Sequence, residues 1–478
     1  MNGNRWKKAA GILCLCALLA GLTGCAKKEP LSLTVWTCYN GEQLGAFNEA
    51  VEAFNATVGR NKNIVVSASS LGSVNDLEQN VMDAVRGKVG AQEVPDIFSA
   101  YADTAYAVDS LGRVADLGPY LTEKDRKEYI ESYQSEGDFR GDGSVKIFPV
   151  AKATELLVVN DTDWRAFAEA TGTSADEFAT IEGATAMAQR YYEWTDSLTD
   201  APNDGKALFG RDAMANYMII GAKQLGCDIF ETRDGQTTVN LPREVAKRLW
   251  DHYYVPYVKG YFAAYGKFRS DDVKTGDILA YTGSTSSSLY FPDVVESENS
   301  SYPIEYIVMN APVMEGGENC KVQQGAGMAV TKSDAEHEYA ACVFLKWFTQ
   351  KEQNLRFVCN SGYMPVKKDA NSISALDELI AEQNLTINDK TYDCLKEVLS
   401  DFENTSYYTT KNFENGFAAR KVLDYNLSDK AAADREAFEA AVAAGASREE
   451  ELKKYLSEEN FENWYAGFCE ALRLATEQ

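Results

Sequence analysis

The sequence predicts an α/β protein built on a mainly parallel sheet. Between residues 31 and 98 five segments alternate in type, with strands over 31–36, 64–68 and 95–98 and helices over 41–55 and 74–88. The first helix shows its apolar residues at helical spacing, namely Leu44, Phe47, Val51 and Phe54. A β-α-β-α-β order implies parallel strands covered by helices, and ligands bind beyond the carboxyl ends of such strands.

The length, charge and composition limit the number of domains and exclude several classes of partner. The chain has 478 residues, enough for about three domains or two large ones. Its 47 Lys and Arg against 72 Asp and Glu give a formal net charge of −25, which excludes nucleic acid as a partner because phosphate binding needs a basic face. The same charge argues against the body of the protein lying on an anionic membrane. With 2 His, no multi-histidine metal site is expected, and the sequence indicates no cofactor.

The first thirty residues read as an export segment. A basic start is followed by an apolar run over 9–22, which is too short to span a bilayer. The run ends in Leu22-Thr23-Gly24-Cys25, which resembles the cleavage box of bacterial lipoproteins. The resemblance implies a signal peptide over 1–24, a lipid on Cys25, a tether over 25–30 and a place on the outer face of the cell membrane. The alternative is an ordinary signal peptide with a chance cysteine.

Seven cysteines follow Cys25, at positions 38, 227, 320, 342, 359, 394 and 469. An odd number without close spacing does not indicate a disulfide framework. Cys342 and Cys359 lie among apolar residues and are expected to be small core side chains.

Two further patterns bear on organisation. Asp142-Gly143 and Asp234-Gly235 are typical of turns between paired strands, the first leading into 145–150 and the second separating 229–232 from 237–240. Residues 428–456 are rich in Ala and Glu with few large apolar residues, so we expect exposed helices there, inserted near the end of the chain.

Several blocks occur in the order found in one known family. They are Trp36-Thr37-Cys38-Tyr39, Phe54-Asn55, Pro95-Asp96-Ile97, residues 111–117, residues 143–150 leading into 154–160, Pro312, Gly325-Ala326-Gly327, Ala340-Ala341 with Phe344, Leu345 and Phe348, and Gly362-Tyr363-Met364-Pro365-Val366. Over residues 25–370 this order resembles the family 1 extracellular solute-binding proteins of ABC transporters, the maltose-binding type. The last hundred residues match poorly beyond being helical.

The resemblance implies a two-lobed periplasmic-binding-protein type II fold. The N-terminal lobe would comprise 31–150 and 326–367, and the C-terminal lobe 151–325 and 368–478. The chain would cross between the lobes near 149–153, 323–325 and 367. A monomeric receptor would close around its solute by a hinge motion and deliver it to permease subunits driven by an ATPase.

The candidate site residues come from segments that the resemblance places around the cleft. They are Trp36, Thr37, Tyr39 and Asn40 after the first strand, Tyr101 and Asp103 after the third, Thr154 and Glu155 after the first crossing, Gly283, Ser284 and Thr285 at a strand-to-helix turn, and Tyr363 and Met364 before a proline. A sugar offers hydroxyl groups and flat C–H faces, so a site for it needs aromatic rings and a few directed polar groups. Open alternatives are core packing for Trp36, a salt bridge for Glu155 and plain helix capping for residues 284–285. Tyr407, Tyr408 and Trp464 are weaker candidates from the tail.

The sequence lacks the motifs of several enzyme classes. The chain has no nucleophile elbow and no P-loop, and Ala341 replaces the second histidine that a zinc protease helix starting at His337-Glu338 needs. The favoured function is a non-enzymatic receptor for a neutral mono- or oligosaccharide, because the expected rim has no Arg or Lys. The alternatives are a receptor for a cation such as a polyamine, a secreted glycoside hydrolase, and a surface adhesion or sensor lipoprotein.

Overall fold

The structure is a computed structural model that describes residues 29–233, 236–297 and 300–477. Its strands are β1 Leu31–Thr37, β2 Ile64–Ser70, β3 Ile97–Ala100, β4 Glu155–Asn160, β5 Ala207–Arg211, β6 Phe230–Arg233, β7 Gln236–Val239, β8 Ile278–Ser284, β9 Val294–Glu296, β10 Ser301–Pro303, β11 Tyr306–Asn310, β12 Cys320–Val322, β13 Gly327–Val330 and β14 Ser406–Tyr408. The signal segment and Cys25 lie outside the described residues.

The helices run between and around these strands. The α-helices are Gly41–Phe54, Arg60–Lys62, Val74–Val85, Ala102–Ser110, Glu123–Glu128, Glu131–Ser135, Asp161–Thr171, Ile181–Asp196, Met214–Gln224, Arg243–Asp251, Tyr254–Lys259, Arg269–Thr275, Ala335–Phe348, Lys351–Ser361, Ile373–Gln383, Asp389–Ser400, Gly416–Ala443, Arg448–Tyr455 and Glu458–Glu477. Shorter 3-10 turns cover Gly118–Tyr120, Ala175–Ala179, Thr285–Tyr290 and Phe402–Asn404, and a π turn covers Asn55–Gly59.

The first sheet is the core of one lobe, and its strand order is β13-β3-β1-β2. β1 pairs in parallel with β2 and β3, and β13 adds an antiparallel edge. The three predicted strands and two predicted helices of this region are confirmed. Apolar faces of helices Gly41–Phe54 and Ala335–Phe348 cover the sheet, with Phe47, Phe54 and Phe344 fully buried.

The second sheet is the core of the other lobe, with the order β11-β4-β8-β5. β5 and β8 are parallel, but β4 runs antiparallel to both of its neighbours. The parallel order was predicted from residues 31–98, which belong to the first lobe, and it does not extend to this sheet. In β4 the first residue, Glu155, pairs with Ser284, the last residue of β8, so the two strands run in opposite directions.

The lobes are connected by adjacent chain segments. Between the lobes Lys152 pairs with Met364, and Ala153 pairs with Gln324, each as an isolated β-bridge. Gly325 adopts a φ of +90°, and a Cβ there would lie 2.9 Å from the carbonyl oxygen of Ala151. Because these backbones approach so closely, only glycine fits at this position.

The tail completes the second lobe. Helix Gly416–Ala443 packs against helices Met214–Gln224, Tyr254–Lys259 and Glu458–Glu477. Its inner face, which includes Leu423, Leu427 and Phe438, is buried. The helices expected over 428–456 are confirmed, but the first begins earlier and carries a buried stripe, so the segment is part of the lobe's core packing.

The two Asp-Gly turns have different outcomes. β6 and β7 form the predicted antiparallel pair, with Arg233 opposite Gln236, while Asp234-Gly235 itself lies outside the described residues. Residues 145–150 do not form the expected strand; Phe148 makes a single bridge to Met328. All seven cysteines between positions 38 and 469 are free thiols. Across the described ranges, the helices are too short or too polar to cross a lipid bilayer.

Candidate ligand-binding cleft

A cavity of about 250 Å³ lies between the two lobes. We call it the cleft. The first lobe contributes Val74, Asn75, Glu78, residues 101–103 and Glu136; the connecting segment contributes residues 322–325; and the second lobe contributes Asn216, Ile219, Phe230, residues 408–413 and the first turns of helix Gly416–Ala443. The lobes also touch directly near the cleft, where helix Ala102–Ser110 contacts helix Gly416–Ala443.

Two exposed aromatic rings, one from each lobe, line the cleft. Tyr101 is 37% exposed and directly follows β3, at the N-cap of helix Ala102–Ser110. Phe417 is 46% exposed and stands in the first turn of helix Gly416–Ala443. Burial around the hydroxyl raises the pKa of Tyr101 to about 12, and the neutral hydroxyl can donate a hydrogen bond to a solute. Ring faces of this kind pack against the C–H faces of sugars.

The first lobe presents an acidic wall formed by Glu78 and Asp103. The Thr104 hydroxyl donates to Glu78 Oε1 at 2.8 Å, and the Thr104 amide donates to Asp103 Oδ1 at 2.8 Å. Burial raises the pKa of Glu78, although the Thr104 hydrogen bond opposes the shift. These contacts fix both carboxyl groups at the start of helix Ala102–Ser110 and leave each with a second oxygen for a ligand.

The second lobe presents a basic wall on helix Gly416–Ala443. Phe417, Arg420, Lys421 and Asp424 follow one another at helical spacing, and all four line the cleft. Lys421 Nζ lies 5.1 Å from the centre of the Phe417 ring and 5.6 Å from that of Tyr425. In the described part of the chain, no carboxylate lies within 4.0 Å of the cationic group of Arg420 or Lys421. Both cations therefore have donors free for a solute.

The floor of the cleft is tied to the connecting segments through Glu136. Its Oε2 accepts from Lys152 Nζ at 2.6 Å and from Gln323 Nε2 at 2.6 Å. Lys152 also donates to the Gly325 carbonyl oxygen at 2.9 Å. The side-chain oxygen of Gln324, which lines the cleft, is buried and lacks a partner among the described residues.

Of the predicted site residues, Tyr101 and Asp103 line the cleft. Trp36 and Tyr39 do not: their side chains are only 6% and 2% exposed. Trp36 packs in the apolar cluster between the sheet and helix Val74–Val85, and Tyr39 contacts Phe47, with ring centres 5.4 Å apart. The expectation of cleft aromatics at these positions is corrected, because both rings point into the lobe rather than across its edge.

Thr37 and Asn40, the polar residues next to Trp36 and Tyr39, are buried or hydrogen-bonded within the first lobe. Thr37 is fully buried in β1. The Asn40 amide donates to the carbonyl oxygens of Cys38 and Gly72, at 2.8 and 2.9 Å, and so ties the turn after β1 to the turn after β2. Neither residue lines the cleft.

Thr154 and Glu155 lie behind the cleft, where they line a separate cavity of about 30 Å³, the size of one water molecule. Glu155 Oε2 accepts from Arg211 Nη2 at 3.3 Å, and its Oε1 accepts from Asn216 Nδ2 at 2.8 Å. The salt-bridge alternative therefore describes Glu155 in this structure, and its carboxylate is not presented to the cleft.

The remaining candidates belong to the contact between β8 and the loop at 362–364. Ser284 caps the turn Thr285–Tyr290, since its hydroxyl accepts from the Ser286 amide at 3.3 Å. The Thr285 amide donates to the Thr154 carbonyl oxygen, so these first N–H groups do not face a ligand. Gly283, Thr285 and Met364 are buried.

Tyr363 and the tail aromatics also have packing partners. The Tyr363 ring stacks on Phe357, with centres 6.1 Å apart. Of the tail residues, Tyr408 lines the cleft, Tyr407 packs against Phe402 with ring centres 5.1 Å apart, and Trp464 lies in the core. None of Tyr363, Tyr407 and Trp464 lines the cleft.

Sequence reasoning missed most of the lining residues that the second lobe contributes, among them Asn216, Phe413, Phe417, Arg420, Lys421 and Asp424. One signal was present: an aromatic residue and two cations share one helix face just after Asn415-Gly416, at a point where the opposite face carries Ala419 and Leu423. The tail matched no family block, so that amphipathic face was not assigned to the cleft.

The fold and this cleft define a two-lobed solute-binding protein, and the comparisons agree. The sequence pattern of the bacterial extracellular solute-binding proteins matches residues 49–386. The chain therefore belongs to the bacterial extracellular solute-binding protein family, whose members bind a solute and do not catalyse its conversion. No curated protein sequence matches the chain.

Solved structures show the same fold at low sequence identity. The cyclic alpha-maltosyl-1,6-maltose binding protein of Arthrobacter globiformis aligns with a TM-score of 0.65 and 18% identity, over 94% of this chain and 99% of its own. UgpB of Mycobacterium tuberculosis, in complex with glycerophosphocholine, aligns with a TM-score of 0.63 and 18% identity, over 93% and 99%. An ABC substrate-binding protein of Listeria monocytogenes, in complex with cycloalternan, gives 0.61 and 18%, over 91% and 99%.

Proposed function

We propose that this protein is the receptor of an ABC importer and that it captures a neutral carbohydrate, a mono- or oligosaccharide, in the cleft. The observation that carries the proposal is the pair of exposed rings, Tyr101 and Phe417, which reach the cleft from opposite lobes. The two proteins compared above that bind cyclic oligosaccharides share the fold and support this choice.

The opposed charged walls favour a solute without net charge. A sugar hydroxyl both donates and accepts, so one hydroxyl can donate to Asp103 while it accepts from Arg420. A polyamine would face the unpaired cations Arg420 and Lys421, and a simple anion would face Glu78 and Asp103. The earlier reason for preferring a neutral sugar, a rim without Arg or Lys, is wrong; the balance of the two walls replaces it.

Capture would proceed by closure of the lobes. The walls belong to different lobes, and the lobes are joined by the narrow paired segments around Lys152 and Gln324. A solute that bridges both walls stabilises the closed arrangement by its contacts with each, which is the differential affinity that a shift between conformations requires. The closed receptor then docks on the permease.

A thermal-shift screen of the mature chain tests the solute class. Maltose, maltotriose, other neutral oligosaccharides, spermidine and glycerophosphocholine are each added in large excess. A solute at 100 times its dissociation constant stabilises the folded state by about 2.7 kcal/mol. We expect a neutral saccharide to raise the midpoint and to be recovered intact. A shift with spermidine or glycerophosphocholine but with no saccharide, or release of shorter sugars, contradicts the proposal.

We further propose that Cys25 anchors the receptor to the cell membrane through a lipid. The support is the sequence Leu22-Thr23-Gly24-Cys25 after an apolar run. It comes from the sequence alone, since residues 1–28 lie outside the described structure. In cells that export the full chain, the protein should fractionate with membranes, and Cys25→Ser should release it. A membrane-bound Cys25→Ser variant contradicts lipid anchoring without bearing on the solute.

A further inference from the structure

The side chain of Asn216 connects a buried carboxylate to a cation of the cleft. Asn216 is 1% exposed and lies in helix Met214–Gln224. Its Nδ2 donates to Glu155 Oε1 at 2.8 Å, and its Oδ1 accepts from Arg420 Nη2 at 3.0 Å. Both polar atoms of the amide therefore have partners, one at the end of the sheet and one in the cleft.

The chemistry of the partners fixes the orientation of this amide. An ionised carboxylate only accepts hydrogen bonds, and a guanidinium only donates them. The amide nitrogen must therefore face Glu155 and the amide oxygen must face Arg420, since the reverse orientation would lose both bonds and bring like partners together. With Glu155 in place, the acceptor of Asn216 is directed at Arg420.

Glu155 is itself held rigidly. It is the first residue of β4, paired with Ser284, and its second oxygen accepts from Arg211 Nη2 at 3.3 Å. The Arg211 guanidinium in turn lies 4.9 Å from the centre of the Tyr217 ring. Each of these groups belongs to the second lobe, so the arrangement does not depend on how far the lobes are closed.

We propose that Asn216 is a positioning residue which, oriented by Glu155, fixes the Arg420 guanidinium toward the cleft before any solute arrives. Among the described residues Arg420 has no other hydrogen-bond partner, so this bond selects its rotamer. A preordered side chain loses less conformational entropy on binding, which favours affinity. The inference rests on the proposed function only for the statement that Arg420 meets the solute.

The guanidinium signals of Arg420 in the solute-free protein test this inference. The full mature chain is labelled with ¹⁵N-arginine, and Arg420→Lys identifies the Arg420 signals. In the wild type, we expect separate Nη signals because the bond to Asn216 slows rotation of the group. In Asn216→Leu, which is similar in size and cannot accept a hydrogen bond, the signals should merge. Asn216→Ala replaces this variant if Asn216→Leu does not fold.

Asn460→Leu is the matched control. Asn460 Nδ2 also donates within the second lobe, to the Tyr254 hydroxyl at 2.8 Å and the Tyr455 carbonyl oxygen at 2.7 Å, but it does not contact Arg420. Its loss should leave the Arg420 signals separate. Averaged Arg420 signals in the wild type, or separate signals in Asn216→Leu, overturn the inference. Because no solute is present, a failed solute screen contradicts the proposed function and leaves this result unaffected.

Discussion

Lys152 and Glu136 form a buried ion pair between the two lobes, with Nζ 2.6 Å from Oε2 and side-chain exposures of 1% and 6%. Gln323 donates to the same oxygen at 2.6 Å. One carboxylate thus holds two of the connecting segments against a helix of the first lobe. Because Glu136 also lines the cleft, the cleft and the connection between the lobes share this group.

Lys152→Met is expected to destabilise the protein by about 3–5 kcal/mol, because it leaves Glu136 buried and uncompensated. Urea unfolding gives the free energy of unfolding. Lys351→Met is the control: Lys351 lies 3.7 Å from Glu378 in an exposed pair, and its loss should cost less than about 1 kcal/mol. Equal losses in the two variants would show that Glu136 finds another partner or is solvated.

Phe417→Ala should weaken binding of the cognate saccharide by about tenfold or more, as loss of a central aromatic contact does elsewhere. Tyr101→Ala should act in the same direction, because it removes the ring of the opposite wall. Isothermal titration calorimetry measures both. Tyr290→Ala, which removes a ring that is 65% exposed and lies outside the cleft, should bind normally. Unchanged affinity in both cleft variants contradicts the placement of the site.

Trp36→Ala separates packing from binding. Trp36 is 6% exposed within the apolar cluster that contains Val81 and Phe98, so truncation should cost about 3–5 kcal/mol of folding free energy. The folded fraction should still bind saccharide with near wild-type affinity. Denaturant unfolding and calorimetry on the same preparation decide the matter. A large loss of affinity without loss of stability would return Trp36 to the cleft.

Solute affinity should fall with decreasing pH because of Glu78. Burial raises the pKa of Glu78 above its usual 4.5, with Asp103 adding to the shift and Lys421 and Arg420 opposing it. As the pH falls through the raised pKa, Glu78 becomes protonated, and the hydrogen bond that a sugar hydroxyl donates to the ionised carboxylate is lost. Glu78→Gln should flatten this dependence in the pH range just above the usual pKa of 4.5. An unchanged profile in Glu78→Gln assigns the dependence to another group.

The same pKa shift has the opposite sign for folding. A carboxyl group whose pKa is higher in the folded state binds its proton more tightly there. Its favourable contribution is complete below the unfolded value and is lost as the pH rises through the folded one. Glu78→Gln should therefore reduce the pH dependence of unfolding on the acid side while it weakens binding at neutral pH.

The sequence predicted the first lobe well and the cleft poorly, for a physical reason. Helical and strand periodicity record which face of an element is buried, and this placed β1, β2 and β3 correctly. The rule that ligands lie beyond strand ends pointed to Tyr101 and Asp103, which line the cleft. It failed for Trp36 and Tyr39, since a strand end also borders the core, and no local pattern states which way a ring turns.

The basic wall on helix Gly416–Ala443 could not be predicted without knowledge of the tertiary structure. Arg420 lies 204 residues after Asn216, to which it is bonded, and no local signal joins them. The poor match of the tail to the family blocks also concealed that its helix returns to the cleft. The direction of β4 also could not be predicted from local sequence, because it depends on where the chain enters the second lobe.

Two turns of one helix supply Phe417, Arg420, Lys421 and Asp424 to the cleft. Under the proposed function, one continuous helix would supply much of the contact of the second lobe with the solute, apart from the segments that join the lobes. Substitutions at these four neighbouring positions would then change the preferred solute and leave the segments that join the lobes unaltered.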